Sequence, residues 1–189
     1  TNAVDGQQVI AFFDPQKEAS LEYEISKMIY QLNETEPLKI TLITDLAVEG
    51  GQNPMTGQFE PPWTFLTQLK QLYKVEKSGF DITNLPDDTD VLLLIHSKEL
   101  SDALLFAIDQ YALSGGKILV FVDAHNESDP SAMMGDPMFS GNSSNLGRLF
   151  RAWGVQFDSE KVLLDAMAGL DIRTESGGVA RHFGFVGLT

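Results

Sequence analysis

The sequence has no cysteine. Disulfides, Cys-ligated zinc and thiol nucleophiles are therefore excluded. Histidine is scarce: the three are His96, His125 and His182, and without thiolates they make a structural zinc site a poor expectation. Cations are outnumbered, with 13 Lys and Arg against 27 Asp and Glu and a formal charge of −14. Nucleic-acid backbones and anionic membrane surfaces are gripped by clustered Lys and Arg, so this balance argues against binding either. No apolar run reaches the roughly 18 residues of a membrane span. The phosphate-binding signatures G-x-x-x-x-G-K-[ST] and G-x-G-x-x-G are missing, and no motif implies a cofactor. The G-x-S-x-G elbow is missing too, which leaves Ser143 a poor hydrolase nucleophile.

What is present is a chain of 189 residues, 43% of them hydrophobic, long enough for a compact domain with a real core. Its organising stretch runs from Asp90 to Asp123. An apolar run (Val91 to Ile95) is followed by a polar turn and an amphipathic helix (Ser101 to Ser114). A Gly115-Gly116 stop and a second apolar run (Ile118 to Val122) complete it. This is a strand-helix-strand crossover. Ser101 is placed as its N-cap and Gly115 as a left-handed C-terminal cap. Both strands are apolar on both faces, the pattern expected of strands buried on both sides at the centre of a parallel sheet.

Along the rest of the chain, Gln8 to Phe13 reads as a short strand and Lys17 to Asn33 as an amphipathic helix, with Leu21, Ile25, Met28, Ile29 and Leu32 on one face. Leu38 to Thr44 reads as a second strand. A long loop rich in Gly and Pro (47–62) leads to a helix marked by Trp63, Leu66, Leu69, Leu72 and Tyr73. Tyr73 to Lys77 is a short strand candidate. A second polar loop, Asp123 to Asn145, carries Met133, Met134 and Met138 and precedes a short helix over Leu146 to Trp153. Val155 to Phe157 and Val162 to Leu164 are weak strand candidates, and His182 to Val186 a peripheral one. The elements together predict an α/β fold: a three-layer, doubly wound, mostly parallel sheet.

Ligands of such folds bind at the carboxyl ends of the strands. Asp14, Asp45, His96, Asp123 and His125 fall there. Carboxylates with two imidazoles could bind a divalent metal or do acid–base work, whereas Asp and Ser after a strand also simply cap turns and helices. Asp123, His125 and Asp129 form the tightest polar group, at a spacing that matches no dedicated metal motif. The Gly141 to Gly147 stretch opens a helix; its amides could hold an anion, or Ser144 or Asn145 could cap it.

With these residues laid out, the chain resembles a known family: the auxiliary component of an ABC-type uncharacterised transport system, the group that includes the gliding-motility-associated protein of that kind. The resemblance is carried by Val9 to Phe13 followed by Leu21-Glu22-Tyr23-Glu24-Ile25-Ser26-Lys27. It continues through Asp90 to Ile95, Ala107-Ile108-Asp109-Gln110-Tyr111, Gly115 to Asp123, and Trp153-Gly154-Val155 with Leu164-Asp165 beyond. It spans most of residues 8 to 165 and is most specific in the Ala-Ile-Asp-Gln-Tyr to Gly-Gly pairing.

The resemblance implies a fold similar to class I glutamine amidotransferase-like domains. Their activity needs a cysteine and does not carry over. It also implies a non-catalytic accessory domain of the transport system, a periplasmic (extracytoplasmic) domain of an inner-membrane protein, working by protein or ligand binding. Its partners would be an ABC permease and a separate ATPase subunit, with membrane anchors beyond this sequence. The expected organisation is an α/β domain over 4–165 and a Gly-rich tail over 166–189 that starts a following segment. The opening Thr1-Asn2-Ala3 and the unclosed Val186 to Thr189 end fit a piece cut from a longer chain. Two other readings stand beside this one. One is a receptor for a sugar or acidic small molecule, with the 47–62 and 123–145 loops closing over it. The other is a metal-assisted hydrolase using Asp45, Asp123 and His125.

Overall fold

The computed structural model describes residues 6–10, 15–33, 36–52, 57–98, 100–126, 128–129, 141–174 and 177–187. The chain divides into two units, residues 1–94 with 101–120 and residues 95–100 with 121–189.

The first unit is a three-layer α/β structure built on a mostly parallel sheet. Pro37 precedes β1 (Lys39–Thr44), whose six residues are all buried. It is parallel to β4 (Lys74–Lys77), with Ile40 opposite Val75. With β5 (Val91–Ile95) and β6 (Lys117–Phe121) the sheet order is β4-β1-β5-β6. The order reverses at β1, as in doubly wound folds. The two threonines of β1 keep the strand dry by pairing their hydroxyls. Thr41 Oγ1 meets Thr89 Oγ1 at 2.8 Å, and Leu46 N donates to Thr44 Oγ1 at 3.1 Å. Lys39 buries its stem while its ammonium reaches Asp88 at 2.7 Å and Glu76 at 2.8 Å, both on exposed side chains. Hydrogen bonding to Lys39 pulls the Glu76 carboxyl down to about 2 and holds Asp88 below its usual range.

The helices of this unit form where the periodicity predicts them, although the Leu21–Asn33 helix buries no residue and leaves Ile25 and Ile29 exposed. A 3-10 turn (Pro15–Ser20) leads into α1 (Leu21–Asn33), and α2 covers Thr64–Leu72. In α3 (Asp102–Leu113), Ser101 Oγ accepts from Leu104 N at 3.2 Å as the N-cap, and Leu104 and Ile108 are buried. Its end is closed by Gly115 at φ +90°, with Gly116 N donating to Tyr111 O at 2.9 Å. The 47–62 loop contains a small antiparallel ribbon, β2 (Gly51–Gln52) with β3 (Phe59–Glu60). The core gathers Leu42, Ile43, Leu66, Leu92, Leu94 and Leu104.

Two expectations are corrected here. β5 is central and buried, but β6 is an edge strand among the described residues, with Leu119 51% and Phe121 54% exposed. A continuous apolar run specifies a strand without specifying how many neighbours it has. The Gln8 to Phe13 strand does not form over Gln8–Ile10, and the remainder lies outside the described residues.

The second unit holds α4 (Gly147–Ala152), which buries Leu149 and Phe150, with Leu146 buried ahead of it. Phe150 meets Phe157 edge to face at 6.2 Å. Val155 to Phe157 and Val162 to Leu164 run as irregular chain, not as strands. The glycine-rich segment is ordered as an antiparallel hairpin, β7 (Gly169–Arg173) with β8 (Val179–Val186). Its register jumps: Leu170 faces His182 while Gly169 faces Val186, so Phe183, Gly184 and Phe185 bulge out of the ladder. Among the described residues, no helix is long and apolar enough to cross a membrane.

Candidate functional site

Three of the predicted strand-end residues lie in the second unit, in two separate environments. His96 follows β5 directly and takes φ +47°, a left-handed conformation that few non-glycine residues adopt. That turn is held by His96 N donating to Phe121 O at 2.9 Å. Its imidazole is buried, with 2% of the side chain exposed, and Nε2 meets the equally buried Asp129 Oδ2 at 2.7 Å. Lys98 Nζ donates to the same oxygen at 2.6 Å and to Gly141 O at 2.8 Å. Asp129 thus joins two cations or donors on the turn after β5 to one loop carboxylate, and Lys98 ties in the far end of that loop. His96 Nδ1 is buried with no hydrogen-bond partner among the described residues. This network shields its groups from solvent and acts as a structural clasp.

Asp123 and His125 lie in the open. Asp123 is bracketed by Ser144, whose Oγ accepts from Asp123 N at 2.9 Å and whose N donates to Asp123 O at 2.8 Å. Asp123 Oδ1 accepts from His125 N at 3.0 Å, an Asx turn that fixes the two side chains on one bend. Asn142 Nδ2 lies 2.9 Å from His125 Nδ1 and 3.4 Å from its Nε2, so the amide rests against the imidazole. Asn126 N donates to Asn142 O at 2.8 Å, so the two ends of the 123–145 loop are stitched together.

Asp123 and His125 line a cleft of about 460 Å³ formed wholly within the second unit. Its lining also includes Lys161, Leu163, Leu164, His182 and Phe185. The β8 bulge shapes this wall. His182 stacks on Phe185 with centroids 4.2 Å apart and planes at 25°, and His182 Nδ1 accepts from Phe185 N at 3.2 Å. Lys161 is held by Asp158 Oδ2 at 2.6 Å; this hydrogen bond raises the lysine and lowers the aspartate relative to their ordinary values. Further along the chain, the backbone amides of Ala168 and Met167 hold the Asp165 carboxyl below its usual range.

The sequence-predicted set is therefore dispersed. Asp123 and His125 share the cleft, His96 is in the buried clasp, Asp45 belongs to the first unit, and Asp14 lies outside the described residues. Asp129, grouped with His125 by sequence proximity, pairs with His96 instead. Lys98, Lys161 and His182 were not singled out as site residues. The His96-Ser97-Lys98 run directly after a buried strand was the available signal for the clasp. Lys161 and His182 carried none, because the fold alone brings them to Asp123. Among the described residues, no group of three or more His, Asp and Glu is placed to hold a metal ion.

Comparison with known proteins places this architecture. No curated protein and no solved structure matches the chain. One family, described as an ABC-type uncharacterized transport system, matches residues 7–185, which takes in both units and the β7–β8 hairpin. The chain belongs to that family, the auxiliary components of ABC-type transport systems.

Proposed function

We propose that the chain is a non-catalytic accessory domain that works on the extracytoplasmic side of its transport system, by binding a protein or a ligand. The observation that carries this reading is the family match over residues 7–185. The geometry supports it. The histidine nearest a strand end is enclosed in the clasp, and the open cleft offers Asp123 and His125 fixed by turn hydrogen bonds beside apolar walls. Such a surface recognises and orients; both polar groups are braced by the backbone and by Asn142. Its partners are a permease and a separate ATPase subunit of the same system, and it reaches the membrane through anchors beyond this sequence.

The test is co-purification of the native full-length protein from membranes together with the permease and ATPase. A stable complex, with the domain cleaved by protease added outside intact spheroplasts, is the expected result. Failure of the full-length protein to associate with either component, or protection from external protease, would overturn the reading.

A further inference from the structure

We propose that the cleft at the end of β6 is a carbohydrate site that takes a neutral, polyhydroxylated ring. This rests on the reading of the chain as a binding component, and it names what the cleft binds. The polar groups define the ligand. Asp123 supplies a carboxylate that accepts, and its one turn hydrogen bond from His125 N leaves further lone pairs. The exposed His125 imidazole carries one ring nitrogen that donates and one that accepts in its neutral form. The ligand group that can donate to one and accept from the other is a hydroxyl, and two adjacent hydroxyls match two adjacent residues of one bend.

The walls point the same way. Phe185 is held rigid by its stack on His182, and the three-residue bulge in β8 aims that pair into the cleft. A flat aromatic face beside a carboxylate and an imidazole N–H complements a sugar ring, which is apolar on its C–H face and polar at its edge. Charge separates this class from its acidic rivals. Lys161 is paired with Asp158 at 2.6 Å, so Asp123 leaves the lining net negative, which disfavours an acidic ligand. The volume, about 460 Å³, accommodates a mono- or disaccharide and falls within the roughly 300–1,000 Å³ of small-molecule sites.

The experiment is saturation-transfer NMR and titration of the whole chain with glucose, galactose, N-acetylglucosamine, maltose and cellobiose. Glucuronate is the anionic comparator and glucosamine the cationic one. At least one neutral sugar is expected to receive saturation at its ring C–H protons. Its Kd should weaken about tenfold or more in Asp123→Asn, His125→Ala and Phe185→Leu, since each removes one hydrogen bond or the stacking face. Circular dichroism and a thermal melt establish that each variant is folded. Asp123→Asn keeps the acceptor of the Asx turn and guards against a folding defect. Three results would overturn the site: no neutral sugar bound by the folded chain, tighter binding of glucuronate or glucosamine, or binding unchanged in both Asp123→Asn and His125→Ala. Co-purification with the permease, run in parallel, reports on the accessory role alone, so the two ideas fail separately.

Discussion

Replacing Asp129 with alanine removes the centre of the clasp in the second unit. Asp129 Oδ2 receives His96 Nε2 at 2.7 Å and Lys98 Nζ at 2.6 Å, and its side chain is 2% exposed. Removing one partner of a buried ion pair costs about 3–5 kcal/mol, because the remaining charge is left without compensation. Lys98 keeps 22% of its side chain exposed and still has Gly141 O, so it regains part of its hydration. His96 does not: Nδ1 is already without a partner among the described residues, and the substitution would strand Nε2 as well. The balance is a loss of about 2–4 kcal/mol. The assay is urea unfolding followed by fluorescence. The two tryptophans lie in different units, Trp63 in the first and Trp153 in the second, so a Trp63→Phe background isolates the unit that holds the clasp. With an m-value of about 1–3 kcal/mol/M, a 3 kcal/mol loss moves the midpoint by about 1–3 M. Asp129→Asn, which keeps an acceptor but not the charge, should fall between wild type and alanine. A loss below about 0.5 kcal/mol for Asp129→Ala would refute the reasoning, since surface ion pairs are typically worth about that much.

Acid stability should depend on the Lys39 cluster. Glu76 and Asp88 have depressed carboxyls, so their contribution is present above the ordinary carboxylate range and lost as pH falls through the folded values, for Glu76 toward about 2. Thermal melts between about pH 5 and 2 should show Lys39→Met flattening that decline; an unchanged slope would contradict the assignment. Gly115→Ala is expected to lower stability by about 1 kcal/mol, because Gly115 sits at φ +90°. Denaturant titration measures this, and a neutral result would mean that the α3 stop tolerates a side chain. Ser101→Ala should cost about 1 kcal/mol through loss of the bond from Leu104 N, read by helical ellipticity and melting together.

The sequence by itself determined the elements whose patterns are local. The α3 helix with Ser101 before it and Gly115 after it, the buried β5, and the amphipathic α1 and α2 can each be read from spacing and capping chemistry within a dozen residues. The absence of cysteine and of phosphate-binding loops was equally legible, as were the residues that carry the family resemblance. Neighbourhood in space was not. Whether β6 is central or at the edge depends on strands that its own five residues do not encode. Asp129 was near His125 in sequence, yet the fold closes a 33-residue separation to bring it to His96. Lys161 and His182 reach Asp123 only because irregular chain and a bulged hairpin return to the same cleft. Local propensity acts over one turn or one strand, whereas a site is set by long-range pairing and by which polar groups the buried interior forces together. That is why the helices were readable in advance and the clasp and the cleft were decided by tertiary structure.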